Sequence, residues 1–208
     1  MKIILVNGSP HENGCTNAAL EEIAKELGKN GIESEIFWIG TDPIAGCIGC
    51  GVCRSSGGNR CFRTDRVNDF IDIAETADGF IFGTPVHWAS ASGAITSFMD
   101  RVFFAAGGKL RGKPAACIAS ARRAGTTATL DQLNKYFYIC GLPIVPSQYW
   151  AMVHGSKPED VASDLEGLQI MRSLAKNMAW MVKSFAAGRE KGIVPPALEP
   201  IVRTNFIR

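Results

Sequence analysis

Lys2-Ile3-Ile4-Leu5-Val6-Asn7-Gly8-Ser9-Pro10-His11-Glu12-Asn13-Gly14-Cys15-Thr16-Asn17 opens the chain, and its two halves ask for different structures. Ile3 to Val6 is an unbroken apolar run, the pattern of a strand buried on both faces in a parallel sheet. Gly8 to Asn17 is glycine and small polar residues, which suits a loop at a strand end. Leu20, Ile23, Ala24 and Leu27 then recur at helical spacing, and Asn30-Gly31 is a normal helix ending. The stretch therefore reads as strand, polar loop, helix.

Outward from it the same alternation continues. Glu33 to Ile39 alternates polar and apolar, as a strand near the sheet edge does, and Val67 to Ala77 is a short helix. Gly79 to Gly83 is a third strand, followed by a turn at Thr84-Pro85-Val86-His87-Trp88. Ser92 to Phe104 is a helix with Ile95, Phe98, Met99 and Val102 on one face. Lys113 to Ser120 is a fourth strand, Thr127 to Ile139 a helix, and Gly141 to Pro146 a short fifth strand. Its prolines move that last strand to an edge. A helix over Pro158 to Phe185 follows, and the tail from Gly188, with Pro195, Pro196 and Pro200, reads as extended.

Strands alternating with helices of this length imply right-handed crossovers. The expected fold is α/β: a flavodoxin-like doubly wound five-stranded parallel sheet, order 2-1-3-4-5, with helices on both faces. Residues 1–187 form one domain carrying a cysteine-rich insertion at 46–61, and 188–208 form the tail. Ligands of such sheets sit beyond the carboxyl ends of the strands, where the polar loops fall.

Composition narrows the function classes. Lys plus Arg is 22 and Asp plus Glu is 20, so the net charge is only +2 and gives no footprint for nucleic acid. No apolar run approaches the roughly 18 residues of a membrane helix. Ile3 to Val6 is too short for a signal-peptide core. A cytoplasmic protein is expected, with no nucleic-acid or membrane partner.

The loop after the first strand leads into a helix N-terminus, where free N–H groups and the helix dipole favour an anion. Ser9, Thr16 and Asn17 add donors, and His11 adds a contact that depends on its protonation. The loop has no Gly-Lys-Ser/Thr ending and no Gly-x-Gly-x-x-Gly, so neither a triphosphate loop nor a dinucleotide fingerprint is present. It suits a phosphomonoester held by neutral donors, as in FMN, although an ordinary N-capped turn has the same composition. Thr84 to Trp88 combines aromatic surface with N–H groups beyond Pro85, which suits a flat heteroaromatic ring. Ser120 to Thr126 is a small, glycine-bearing facing wall. Arg122 and Arg123 are either contacts for an anionic co-substrate or solvated loop residues.

Cys47-x2-Cys50-x2-Cys53-x7-Cys61 is a compact set of thiols among glycines, in a chain with an odd total of seven cysteines. That argues against a secreted disulfide framework. Zinc sites usually pair two separated knuckles, whereas C-x2-C-x2-C is the run of ferredoxin-type loops. Three readings stand: one 4Fe–4S cluster held by this loop, a loop with structural or thiol–disulfide cysteines, and zinc.

Gly8-Ser9-Pro10-x3-Gly14-x-Thr16, Thr84-Pro85-Val86-x-Trp88 with Ser90, and Met99-Asp100-Arg101 together resemble the NAD(P)H-dependent FMN reductase family. The cysteine run resembles that of its iron–sulfur flavoprotein branch. The resemblance covers about residues 1–155. It implies non-covalent FMN, with phosphate contacts at Ser9, His11, Asn13, Thr16 and Asn17. Ring contacts fall on Pro85, Val86, His87 and Trp88, with Ser120 and Gly125 facing them. His11, Cys15 and His87 stand where the family often has Arg, Asn and Tyr. Tyr149 to Gly155 resembles a loop closing over the flavin.

The function expected is an FMN-dependent oxidoreductase taking electrons from NAD(P)H and passing them to a quinone, flavin or other acceptor, by way of the cluster if there is one. The alternatives are an electron carrier exchanging electrons with a ferredoxin-like partner, and a thiol-redox sensor. No general acid or base is assigned. The family resemblance and the apolar tail residues Ile193, Val194, Leu198 and Ile201 imply a homo-oligomer, dimer or tetramer.

Overall fold

The computed structural model of the chain describes residues 1–204. Its strands are β1 (Lys2–Asn7), β2 (Glu33–Trp38), β3 (Gly79–His87), β4 (Ser90–Ala91), β5 (Ala115–Ala121) and β6 (Met152–His154). Its helices are α1 (Cys15–Lys29), α2 (Val52–Ser55), α3 (Arg66–Ala74), α4 (Gly93–Leu110), α5 (Thr126–Cys140), α6 (Pro158–Ser163) and α7 (Leu165–Glu190).

The parallel strands lie in the order β2-β1-β3-β5-β6, and β4 pairs back on β3 as a small antiparallel hairpin. With β4 set aside, this is the doubly wound 2-1-3-4-5 order. Alternate residues of each central strand serve opposite faces. Ile3, Leu5, Ile81 and Ile118 pack with α1 and α7, while Ile4, Val6, Phe80 and Phe82 pack with α3, α4 and α5. The second face is aromatic: Phe70 meets Phe82 and Phe98 edge-on, with centroids 5.7 and 5.4 Å apart. Leu20, Ile23 and Leu27 are fully buried, as their spacing requires.

The fifth parallel strand is Met152–His154 and not Gly141–Pro146. Pro143 and Pro146 have no N–H to extend a ladder. The earlier segment keeps a single bridge, Ala115 to Ile144, with Val145 N donating to Ala115 O at 2.9 Å. The expected helix over Pro158 to Phe185 is two helices. Asp164 interrupts it: its carboxylate accepts from Gly167 N at 2.9 Å and from His154 N at 2.7 Å, which caps α7 and ties it to β6. α7 then runs to Glu190, beyond the expected end of the domain. Ile193, Val194, Leu198 and Ile201 in the tail are exposed, and residues 205–208 of the expected tail lie outside the described residues. Among the described residues no helix is long and apolar enough to cross a membrane.

Candidate functional site

The loop between β1 and α1 is held from three sides. Asn7, fully buried at the end of β1, accepts from Ser9 N at 3.0 Å and donates to Glu12 O at 2.9 Å. Trp38 Nε1 donates to Ser9 O at 2.8 Å from the end of β2. Gly8 N donates to Gly83 O at 2.8 Å, and Ser92 Oγ to Gly8 O at 3.2 Å. A Cβ on Gly8 would lie 2.7 Å from Ile95 Cδ1 and 2.9 Å from Gly83 O, so only glycine allows this approach. Gly14 is the N-cap of α1; no side chain caps the helix, and no acidic residue stands in its first turn. Its first N–H groups and its dipole therefore face the cleft with nothing competing for an anion.

The second wall meets this loop directly. Thr16 Oγ1 and Ser120 Oγ are 2.8 Å apart across 104 residues of sequence, and both side chains are buried. Pro85, Val86 and His87 close the third side at the end of β3. The resulting cleft has a volume of about 590 Å3, within the usual range of small-molecule sites. Ser9, His11, Asn13, Thr16, Pro85, Val86, His87 and Ser120 line it.

Three predicted contacts are not on that lining. Asn17 is buried and turns its amide to Glu21 Oε1 at 2.8 Å. Trp88 is 100% exposed at the tip of the β3–β4 hairpin, where it and Ala89 have φ of +54° and +58°. The two-residue turn, with His87 paired to Ser90, points Trp88 out of the cleft. Gly125 has φ +96°, and a Cβ there would lie 2.6 Å from Ala89 Cα. Its part is to let the β5–α5 loop pack against the hairpin, so that the two walls meet.

The sequence reading also missed residues. Ser156, Lys157 and Pro158 line the cleft, together with Arg122 and Gly155, which the sequence had offered as a candidate anion contact and as the end of a loop over the flavin. Asp160 Oδ2 accepts from Ser156 N at 2.8 Å and from Lys157 N at 3.2 Å, fixing this segment at the start of α6. Two cations thus line a cleft whose donor set the loop composition had presented as neutral. Gly-Ser-Lys-Pro before a helix is a start signal that could have marked the segment. The donor set fits the phosphate end of FMN: uncapped helix N–H groups, buried hydroxyls and the Lys157 ammonium.

The cysteine segment lies over α4. Cys47 and Cys50 are exposed, Cys61 is half-buried, and Cys53 is buried on the one-turn helix α2. All four line one pocket with Arg101 and Phe104. Burial pushes the Cys53 thiol up, and the Cys61, Cys47 and Cys50 sulfurs push it the same way. Among the described residues, no three His, Cys, Asp or Glu side chains are gathered tightly enough for a single metal ion. A multi-iron core spreads its thiolates wider, and the donor chemistry of four clustered thiols suits such a core.

Arg101, the last residue of the Met99-Asp100-Arg101 stretch, faces this pocket. Its side chain is 1% exposed and forks onto Asp65, with Nη1 2.5 Å from Oδ2 and Nη2 2.9 Å from Oδ1. Burial opposes its charge, and the hydrogen bonds to Asp65 and Cys61 outweigh that, so its pKa stands above the usual value.

Comparisons with known proteins bear on the family and the fold. The model of the NADPH-dependent FMN reductase family matches residues 1–157. An iron–sulfur flavoprotein of Methanocaldococcus jannaschii is 30% identical over 88% of this chain and 98% of its own length. One from Clostridioides difficile is 28% identical over 68% of this chain and 65% of its own. Among solved structures, RosB with bound 8-demethyl-8-formylriboflavin-5'-phosphate superposes with a TM-score of 0.71 at 15% identity, over 100% of this chain and 94% of that one. At that identity the likeness speaks for the fold. The chain belongs to the NADPH-dependent FMN reductase family, among relatives named as iron–sulfur flavoproteins.

Proposed function

We propose that the chain is an FMN-dependent oxidoreductase that takes electrons from NAD(P)H and passes them to a second acceptor, with its cysteine loop holding a 4Fe–4S cluster. The observation that carries the flavin half is the Thr16–Ser120 hydroxyl contact at 2.8 Å, which joins two rim walls beside an uncapped helix end. When bound, FMN supplies a centre that accepts a hydride and releases electrons in pairs or singly.

The chain's own residues do the rest. Ser9, Thr16 and the first N–H groups of α1 bind the phosphate, and Lys157 screens its charge. Pro85 and Val86 orient the ring, with His87 exposed beside them toward a second substrate. Arg122, exposed and always charged, meets the phosphates of the pyridine nucleotide. The cluster half rests on four thiols lining one pocket and on the names of the relatives.

A second reading, an electron carrier with a ferredoxin-like partner, is favoured by the exposure of Cys47 and Cys50 at the protein surface. Anaerobic stopped-flow mixing separates the two. Rapid bleaching of flavin by NADPH or NADH is expected of the reductase; reduction by ferredoxin alone would establish the carrier. A homo-oligomer is also proposed, because Trp88, Tyr149, Trp150 and the tail leave apolar surface uncovered. Sedimentation at micromolar concentration tests it, and a monomer would refute it.

A further inference from the structure

We propose that Arg101 is a positioning residue for the cysteine loop. Its guanidinium, fixed by Asp65, orients the Cys61 sulfur and raises the reduction potential of the iron–sulfur core, an inference that rests on the cluster reading above.

A buried guanidinium needs a partner, and Asp65 alone would satisfy that need. The fork onto Asp65 uses both terminal nitrogens and leaves Nε free, and Nε donates to Cys61 Sγ at 3.3 Å. Nη1 also approaches Ala45 O at 3.5 Å, two residues before Cys47. One cation therefore touches both the entry and the exit of the cysteine segment. The main chain of Cys61 is fixed independently: its N donates to Asn68 Oδ1 and its O accepts from Asn68 Nδ2, each at 2.9 Å. Asp65 is fixed in turn, since it caps α3 by accepting from Val67 N at 3.2 Å. The sulfur of Cys61 thus has a set position and a permanent positive charge beside it. A donor and a cation at a ligating sulfur favour the reduced, more negative state of a cluster. Arginine does not lose its proton in the ordinary range, so the effect is constant with pH.

The flavin gives an internal control. Ser92, which caps α4, touches the phosphate loop, and Arg101 lies nine residues further along, about 13 Å at helical rise.

The test is a potentiometric titration of anaerobically reconstituted protein, following the cluster by electron paramagnetic resonance and the flavin by absorbance. Arg101→Lys keeps the charge without the fork, and Arg101→Gln removes both. The expected order of cluster potentials is wild type, then Lys, then Gln, with the flavin potential unchanged. At the potential where the wild-type cluster is half reduced, the oxidised-to-reduced ratio of Arg101→Gln should be at least tenfold higher, about 59 mV for a one-electron couple. An unchanged cluster potential in Arg101→Gln overturns the proposal, as does an equal shift of cluster and flavin. If Arg101→Gln takes up no iron, Arg101→Lys decides: a lowered potential supports the proposal and a wild-type potential overturns it. Loss of iron from both variants with flavin retained supports the positioning of Cys61. Wild-type protein that binds flavin but no iron overturns the cluster reading and this proposal with it, a result distinct from all the others.

Discussion

The flavin cleft and the cysteine pocket are built in opposite ways. The cleft grows out of the sheet: its loop is anchored by Asn7, Trp38, Gly83 and Ser92, and its walls meet through the buried pair of Thr16 and Ser120. The cysteine segment is a graft: Arg101 reaches Ala45 O before it and Cys61 at its end, Asn68 holds the Cys61 main chain, and α2 buries Cys53 between them. Its glycines differ accordingly. A Cβ on Gly8 or Gly125 would strike neighbours below 3 Å, whereas a Cβ on Gly49, Gly51 or Gly57 meets nothing within 4 Å. One site is shaped by the packing of the strand ends; the other buries Cys53 and Cys61 in part or whole and leaves Cys47 and Cys50 at the surface.

The sharpest way to break this contrast is to remove the sulfurs. Cys53→Ser together with Cys61→Ser should abolish iron content and brown absorbance while flavin stays bound at wild-type stoichiometry. Loss of both groups would show that the pocket is not a separate graft. Next in size, Gly125→Ala should cost about 1–3 kcal/mol of stability through its left-handed backbone and the clash with Ala89. Gly57→Ala, at φ +67° in open space, carries only the backbone cost and should lose less than Gly125→Ala, about 1–2 kcal/mol. Denaturant midpoints measure the pair, and equal losses would erase the distinction. Thr16→Val removes one partner of a buried hydroxyl pair and should weaken FMN by about 1 kcal/mol, near fivefold, without changing iron uptake. The smallest effect belongs to exposed Lys157: its change to Ala should weaken FMN by less than about 1 kcal/mol, and the loss should shrink in high salt.

Thiol reactivity sharpens the same contrast. Burial pushes the Cys117 thiol up, so less of it is thiolate at a given pH, and it also hydrogen-bonds Leu130 O. In iron-free native protein, iodoacetamide should therefore modify exposed Cys47 and Cys50 first and Cys117 only on unfolding. Mass spectrometry of the labelled peptides checks the order.

What was legible in the sequence follows the same division. The strand–loop–helix at residues 2–27 could be read because its signals are local: an apolar run, a polar loop and a helical repeat. Gly141–Pro146 misled because five apolar and proline residues look like a strand until the missing N–H groups are counted against the ladder they must join. Trp88 looked like a ring wall because aromatic surface is visible in a sequence and a left-handed turn at non-glycine residues is not. Lys157 stands in a Gly-Ser-Lys-Pro helix start that could have been read, whereas Asn7 and Arg101 carry no local mark of their roles. Arg101 finds its partners 36 and 40 residues away, and only the packing of α4 under the cysteine segment brings them together.

The central claim is that three strand ends converge on a cleft made for a flavin mononucleotide. Titrating flavin-free protein with FMN and, separately, with riboflavin tests it most directly, because the two ligands share the ring and differ only at the phosphate. The account predicts one FMN per chain at micromolar concentration or tighter, with riboflavin at least tenfold weaker, in keeping with charge-assisted contacts of about 1.5–3 kcal/mol. Absence of FMN binding at micromolar concentration, or equal affinity for the two ligands, would contradict it.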